Sequence, residues 1–421
     1  MRSRRPYWSD TEAAAPDTGY AWVMLALGTV LVALNLGALS SLSVFLKPLS
    51  EEFGWPRGAT ALSYTTAAVT IGVAGVFWGR VADRYGTRPV VLVGVLAQPT
   101  ALLLLSWLAS LSQFYVLYMA LGGFGFAAVN VPIIANVGLW FVRRKGLALG
   151  ILSSGGPLGQ ALVAFLAAHV VEAYGWRTAY LTLAILYALF AVPLALLVRT
   201  PPLLAAGEPA TRGGSQDELP LPAPVVVAWL SAAAVFCCTT MSIPIVHTVA
   251  MLTDRGLPYA EAARIFVVIM GSGVLGRIFL GRLTDYLGGL RSYFLASALQ
   301  TALVFWFTRV ESLPLLYLLS ALFGLGFSGV MTSVWVCVRE MVPPRLAATS
   351  LAVVVMFAWF GMGLGGWHGG HVFDLTGGYT HSYFHAVLSG LVNLVILGAL
   401  YWRVSRARAR VAAVEAAGQP L

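Results

Sequence analysis

Three ionisable residues stand where an apolar sequence has little reason to keep them. Arg277 follows the run Gly271-Ser272-Gly273-Val274-Leu275-Gly276, well before the next charges at Arg282 and Asp285. A guanidinium can grip a carboxylate through two parallel hydrogen bonds, and the glycines leave room beside it for a ligand. His247 and Asp254 lie seven residues apart, two helical turns, so they share a face, with Asp254 nearer the segment's end. A proton-accepting group on the same cavity as a fixed cation links proton uptake to anion binding, and together the two ions keep the site near neutral. The plainer readings are an Arg277 that snorkels toward Arg282, about 7.5 Å away by helical rise, an Asp254 paired with Arg255 or Arg264, and a His247 that packs two helices.

The elements that position these residues follow from composition. Of 421 residues, 59% are hydrophobic and 10% charged, and the mean hydropathy is +0.81. Soluble domains carry about 25% charged residues, so the solvent for this chain is lipid. The net charge is +9, but the basic residues sit between apolar runs, which points to membrane topology and away from nucleic acid. Cys237, Cys238 and Cys337 lie inside apolar runs without metal-ligand spacing. The first 19 residues are polar and charged, so no cleavable leader is expected.

A span needs ~20 apolar residues. Such runs fall at 20–46, 59–80, 89–110, 114–141, 146–171 and 177–198, then at 222–252, 262–282, 291–309, 313–338, 346–373 and 381–403. The expected organisation is a cytoplasmic segment 1–19, a six-helix bundle 20–198, a polar linker 199–221, a second bundle 222–403 and a tail 404–421. With the N-terminus inside, nineteen of the 26 Lys and Arg fall on the cytoplasmic side and six outside; Arg277 is the remaining one. That excess places both termini in the cytoplasm.

The halves repeat. Gly79-Arg80-Val81-Ala82-Asp83-Arg84-Tyr85-Gly86 recurs as Gly281-Arg282-Leu283-Thr284-Asp285-Tyr286-Leu287-Gly288, 202 residues on. His169-Val170-Val171-Glu172 recurs as His371-Val372-Phe373-Asp374 at 202, and Gly123-Phe124-Gly125-Phe126 as Gly324-Leu325-Gly326-Phe327 at 201. Parallel six-helix repeats place a substrate site between the halves near the midplane, with rocking as the transport motion.

The stretch Gly79-x-x-x-Asp83-Arg84-x-Gly86-x-Arg88 resembles the loop between helices 2 and 3 of the major facilitator superfamily. Its glycines permit tight turns, and its charges, with Arg282 and Asp285 of the second copy, suit helix-end contacts that a moving half must break. Asp17-Thr18-Gly19-Tyr20-Ala21-Trp22 resembles the opening of monocarboxylate transporters. Trp140-Phe141-Val142-Arg143-Arg144-Lys145-Gly146-Leu147-Ala148-Leu149-Gly150, continuing to Gly155 and Gly159, is similar to the stretch leading into their fifth helix. The glycine ladder also has a physical role in close helix packing.

The resemblance implies an all-α membrane protein of twelve transmembrane helices in two pseudo-symmetric six-helix bundles. It implies a proton-coupled carrier of a small monocarboxylate such as lactate or pyruvate, working without cofactor as a monomer in the cell membrane. The scarcity of lysine (Lys47 and Lys145 alone) points to a bacterial member. Arg277 occupies the position of the family's carboxylate-binding arginine in helix 8. Helices 1, 4, 7 and 10 line the family's cavity, which makes Asn35, Ser40, Ser41, Tyr118, Asn130, Ser328 and Trp335 candidates; Tyr118, Asn130 and Ser328 are carried forward for substrate. The animal carriers have an Asp one turn before that arginine and a Lys in helix 1. Here those positions read Gly273 and about Ser40, which moves the expected proton site to His247 and Asp254. Oxalate/formate exchangers place a Lys in helix 11. No Lys or Arg lies between Arg345 and Arg403, so a singly charged substrate is expected. His368 and His371 look like a metal pair but have no acidic partner, and no nucleophile–base set or metal triad suggests an enzyme.

Overall fold

The computed structural model describes residues 19–141, 145–199 and 221–416. Every described element is helical. Ten segments are long and apolar enough to cross a membrane. One of them, Lys145–Leu196, breaks at Gly175 (φ 82°) and makes two crossings. The short helix Gly289–Val304 with its 3-10 extension to Thr308 completes twelve. In chain order these are α1 (Gly19–Phe53, with a break at Ser41), α2 (Arg57–Tyr85), α3 (Thr87–Leu105), α4 (Leu111–Trp140), α5 (145–174) and α6 (176–196). The second half is α7 (Ala223–Asp254), α8 (Tyr259–Leu287), α9 (Gly289–Val304), α10 (Leu313–Met341), α11 (Pro344–Thr376) and α12 (Thr380–Ala416). Most of the expected linker, and Arg143 and Arg144, lie outside the described residues.

Several helices overrun the apolar runs read from sequence. The α2 helix continues past residue 80 through Asp83 and Arg84, and α12 runs well past 403. Backbone hydrogen bonding does not stop where hydrocarbon stops, so hydropathy marks the buried part of a helix and not its end. The α3 helix is shorter than expected because a turn intervenes before Ser110, whose side chain accepts a bond from the Gln113 N–H and starts α4.

The repeat is visible in the turns. All six described glycines with positive φ form three pairs 202 residues apart: Gly54 with Gly256, Gly86 with Gly288, and Gly175 with Gly377. Gly86 and Gly288 are each the single residue between two helices, at φ 90°, ψ 161° and φ 79°, ψ 163°. That region of backbone space is essentially glycine-only.

The repeat is also visible in packing. A Cβ on Gly159 would meet the Ala33 carbonyl oxygen at 1.8 Å, and one on Gly361 would meet that of Val235 at 2.3 Å. Both members of each pair are offset by 202, so α1 touches α5 as α7 touches α11. Gly122 against Ala67 (2.6 Å) and Gly324 against Ile269 (2.2 Å) repeat the same rule for α2–α4 and α8–α10. Bilayers supply no hydrophobic drive between helices, so such close backbone approach is what joins them. Within the ladder read from sequence, Gly155 and Gly159 carry contact with α1, whereas Gly150 has nothing within 4 Å.

The odd offset of 201 has a structural cause. Leu121–Phe126 is a π-helical turn, which holds one more residue than an α turn. Helix α4 starts 202 residues before α10 and ends 201 before it. One residue has been inserted into α4 and absorbed there, leaving both ends of the helix in register.

Because Gly288 sits in glycine-only space, Gly288→Ala is expected to destabilise the protein by ~1–3 kcal/mol. Gly150→Ala, in a helix with open space around it, should hold or raise stability. Thermal unfolding of both purified variants checks this, and equal behaviour would refute the strain argument.

Candidate functional site

The two halves meet along α2–α11 and α5–α8. The end of the bundle remote from the termini is named outer, following the basic-residue distribution. Contacts there run from Arg57 and Gly58 beside Asp374, through the hydroxyl of Thr65 on the Gly363 carbonyl (2.7 Å), to Gly72 beside Met356 near mid-helix.

Arg277 lies ten residues before the inner end of α8. It does not snorkel. Its Nε donates to Ser328 Oγ of α10 at 3.1 Å, and Nη1 donates to the backbone carbonyl of Ser153 in α5. The guanidinium therefore bridges the halves, and the position of a Cβ on Gly156 would be 3.7 Å from it. Among the described residues no carboxylate pairs with it. Gly273, one turn earlier, packs against Ser328, where a Cβ would stand 3.2 Å from its Oγ. A larger side chain at that position would compete with the serine that orients Arg277.

His247 and Asp254 belong to a different assembly, at the outer end of the contact between the halves. Asp254 receives Arg57 through both guanidinium nitrogens, Nη2 to Oδ1 at 2.8 Å and Nη1 to Oδ2, and Lys47 Nζ stands 3.0 Å from Oδ1. Arg57 Nη1 also donates to the Tyr379 hydroxyl at 3.0 Å, and its Cζ lies 4.0 Å above the Phe373 ring. The Tyr379 hydroxyl is 3.3 Å from His247 Nδ1, and His247 Nε2 is 2.7 Å from the Gly366 carbonyl. A carbonyl only accepts, so Nε2 carries the proton and Nδ1 accepts from Tyr379. Asp374 closes the cluster by accepting the backbone N–H groups of Arg57 (2.8 Å) and Gly58 (2.7 Å), which caps α2.

The structure thus links His247 and Asp254 through Arg57 and Tyr379. Asp254's partners are Arg57 and Lys47 of the other half, in place of Arg255 or Arg264. By helical rise from Tyr259 at the start of α8, Arg277 lies ~27 Å in depth from the Arg57–Asp254 pair and ~16 Å from His247, which is two turns below Asp254. Arg57, Lys47, Tyr379 and Asp374 were not singled out from sequence. The His371–Asp374 repeat was the one available signal, and Asp374 lies in it.

Of the other candidates, Ser328 joins Arg277 directly. Tyr118 is buried within the first half, its hydroxyl 3.3 Å from that of Tyr180, and is not brought to Arg277. Asn130 is half-buried on α4. Ser40 accepts from Gln160 at 2.7 Å and Ser41 donates to the Ala38 carbonyl at 2.6 Å. Asn35 Oδ1 and Trp335 Nε1 are buried without a partner among the described residues. His368 pairs with His385 at 2.9 Å, and His371 stacks on Trp367. The motif residues Gly79, Gly86 and Arg88 frame the α2–α3 turn. Asp83, Arg84 and Arg88 are exposed and, like Arg282 and Asp285, take part in no described ion pair, whereas Lys47, Arg57 and Asp254 at the outer end are paired. The two stretches that carry the family resemblance pack on each other: Tyr20 on Trp140 (5.5 Å) and Trp22 edge-on to Phe141 (5.2 Å).

If the Arg57–Asp254–Lys47 cluster holds the outer end shut, Asp254→Asn should open it. The readout is an Ala61→Cys probe, buried one turn below Arg57, in a background lacking Cys237, Cys238 and Cys337. Labelling by an impermeant thiol reagent added outside should accelerate about tenfold, discounted from a fully buried pair because Asp254 is part-exposed. An unchanged rate would mean that packing alone closes this end.

The model for the Major Facilitator Superfamily matches residues 25–366 and 228–421. Among curated proteins, monocarboxylate transporter 13 of Bos taurus is 29% identical over 396 residues, covering 92% of this chain and 90% of that protein. An uncharacterized MFS-type transporter, YcxA of Bacillus subtilis (strain 168), is 26% identical over 85% of this chain and 90% of its own length. Two solved structures share the fold. A bacterial homolog of the human lysosomal transporter Spinster, inward-facing and unoccupied, aligns with TM-score 0.70 at 17% identity over 93% of this chain and 98% of that one. The xylose transporter XylE of E. coli, partially occluded and inward open, aligns with TM-score 0.73 at 13% identity over 90% and 97%. The family model spans residues 25–421 and the two solved folds cover at least 90% of the chain, so this twelve-crossing bundle belongs to the major facilitator superfamily as a membrane-embedded transporter.

Proposed function

We propose that the chain carries a small monocarboxylate, of the lactate or pyruvate class, across the cell membrane together with a proton by alternating access. The observation that carries this reading is Arg277. It is a guanidinium between the two halves whose described partners are one hydroxyl and one carbonyl, both neutral. A cation in low dielectric without a counter-charge is costly, and a substrate carboxylate supplies that charge while its two oxygens fit the guanidinium fork. One unneutralised cation matches one negative charge, which favours a monoanion over a dianion. The curated relatives named monocarboxylate transporters support the same class.

The outer cluster supports the proton half of the reading. Asp254 holds Arg57 and Lys47 only as a carboxylate, so a proton on Asp254 releases both cations and loosens the seal. His247, one hydroxyl away from Arg57, offers a second acceptor on the same chain of bonds. Proton and anion crossing together keep the moving half near neutral.

The test is uptake of radiolabelled lactate into proteoliposomes, with an inward proton gradient and without. Arg277→Ala should lower the uptake rate at least a hundredfold, and Arg277→Lys should also fail because an ammonium lacks the fork. His247→Gln keeps a donor for the Gly366 carbonyl but cannot take up a proton. It should abolish gradient-driven uptake while leaving lactate–lactate exchange within about threefold of the parent. Uptake driven by internal anion and indifferent to the gradient would make the protein an exchanger. Failure of every small carboxylate in folded protein would refute the substrate class.

A further inference from the structure

A seam between α9 and α12, away from the transport path, has the order of surfaces of a phospholipid. At its inner end a cleft of about 410 Å³ is lined by Arg291 of α9, by Tyr401, Ser405 and Arg408 of α12, and by Glu340 of α10. Farther along the same two helices a second cleft of about 410 Å³ is apolar, lined by Ala298 and Ala302 from α9, Phe305 from its 3-10 extension, and Val387, Leu391 and Leu394 from α12.

The spacing puts both clefts on one line. Arg291, Ala298 and Phe305 recur every seven residues, as do Val387, Leu394, Tyr401 and Arg408. Two turns of helix return a side chain to nearly the same face. Each helix therefore presents a single stripe that is apolar toward mid-membrane and cationic at the Arg-rich end.

Depth agrees with this order. From Thr380, where α12 begins, to Tyr401 is ~31 Å by helical rise, the thickness of the hydrocarbon core. Tyr401 and Trp402 then fall at the interface where aromatic side chains collect, and Arg408 falls ~10 Å beyond, from where its long side chain reaches back toward the phosphates. The apolar cleft runs from ~10 to ~21 Å inward from Arg291, so an acyl chain of one leaflet, ~15 Å deep, reaches its near half.

The electrostatics select the headgroup. Arg291 Nη2 donates to the Tyr401 hydroxyl at 2.9 Å, and neither Arg291 nor Arg408 forms an ion pair with a described carboxylate. The one acid lining the cleft, Glu340, is exposed and accepts the Gly289 N–H at 3.0 Å, so the cleft keeps a net charge of one positive. Two cations and two hydroxyls thus face a space that suits a phosphate.

We propose that this seam binds an anionic phospholipid of the leaflet on the Arg-rich side, with the phosphate between Arg291 and Arg408 and one acyl chain in the apolar cleft. The site joins α9 to α12 within one half, so its occupancy does not depend on which end of the transporter is open.

The experiment measures lipid binding to the purified full chain in detergent, by native mass spectrometry and by the shift in unfolding temperature. Phosphatidylglycerol is compared with phosphatidylcholine of the same chains and with inorganic phosphate. Phosphatidylglycerol should be retained and should raise the unfolding temperature; the other two should not. In Arg291→Gln/Arg408→Gln the affinity for phosphatidylglycerol should fall about tenfold or more, with the lipid-free unfolding temperature as the check on folding. Arg264→Gln, an exposed outer arginine paired with Glu261, should bind like the parent. Ala298→Phe, which fills the apolar cleft, should weaken the lipid without touching the cations. Equal binding of the two lipids, or of parent and double variant, would overturn the proposal. A thermal shift with inorganic phosphate as large as that with phosphatidylglycerol would make this a free-anion site and overturn the lipid assignment.

Discussion

Inside a bilayer a charge must be paired, hydrated or expelled, and two arginines of this chain meet that rule in opposite ways. Arg57 is wrapped: Asp254 neutralises it, the Tyr379 hydroxyl accepts a further hydrogen bond from it and the Phe373 ring covers its face. Arg277 is left with a serine and a carbonyl. The first arrangement costs free energy to break, so it suits a seal. The second costs free energy to leave empty, so it suits a site for an anion. Both join the two halves, which means that the charge state of either is felt by the relative position of the halves.

The scaffold that holds these arginines was legible because glycine is hard to replace. Three turn pairs require positive φ and the helix crossings require the absence of a Cβ, so the same letter returns at the same offset in both halves. Arg277 was legible for a related reason, since a charge in an apolar run is conspicuous, and Ser328 could be placed on a helix expected to line the same cavity. The outer seal was not. Arg57 and Lys47 sit at the edges of apolar runs, where cations are ordinary, and their partner Asp254 is about two hundred residues away in sequence. Nothing local distinguishes a seal cation from a loop cation. The single-residue insertion in α4 was visible only as an offset of 201, and a π turn explains it only once the helix is seen.

The repeat also shows how the seal arose from a symmetric plan. Glu52 and Asp254 are 202 apart and each lies in the last turn of the first helix of its half. Glu52 stays within its own half, accepting from Trp176 Nε1 and Arg177, both at 2.5 Å. The counterpart of Arg177 is Tyr379, and the counterpart of Arg57 is Tyr259. The first half therefore holds both arginines and the second half both tyrosines. Asp254 has no arginine at the equivalent position in its own half, and Arg57 supplies one from across the interface.

That exchange of Arg for Tyr is what carries the pairing of Asp254 across the interface between the halves, and under the proposed alternating access it gives the two ends different closing chemistry. Had the second half kept an arginine at 379, Asp254 would pair locally as Glu52 does, and closing the outer end would bring no new charge pairing. With tyrosine there, closing it creates an ion pair and opening it breaks one. The tyrosine is not idle, because its hydroxyl hands the influence of Arg57 on to His247. On the inner side the repeated Asp83 and Asp285 turns are both exposed in this state, with their charges in no described pair. Of the two symmetry-related carboxylates, Glu52 is satisfied within its own half and Asp254 only across the interface.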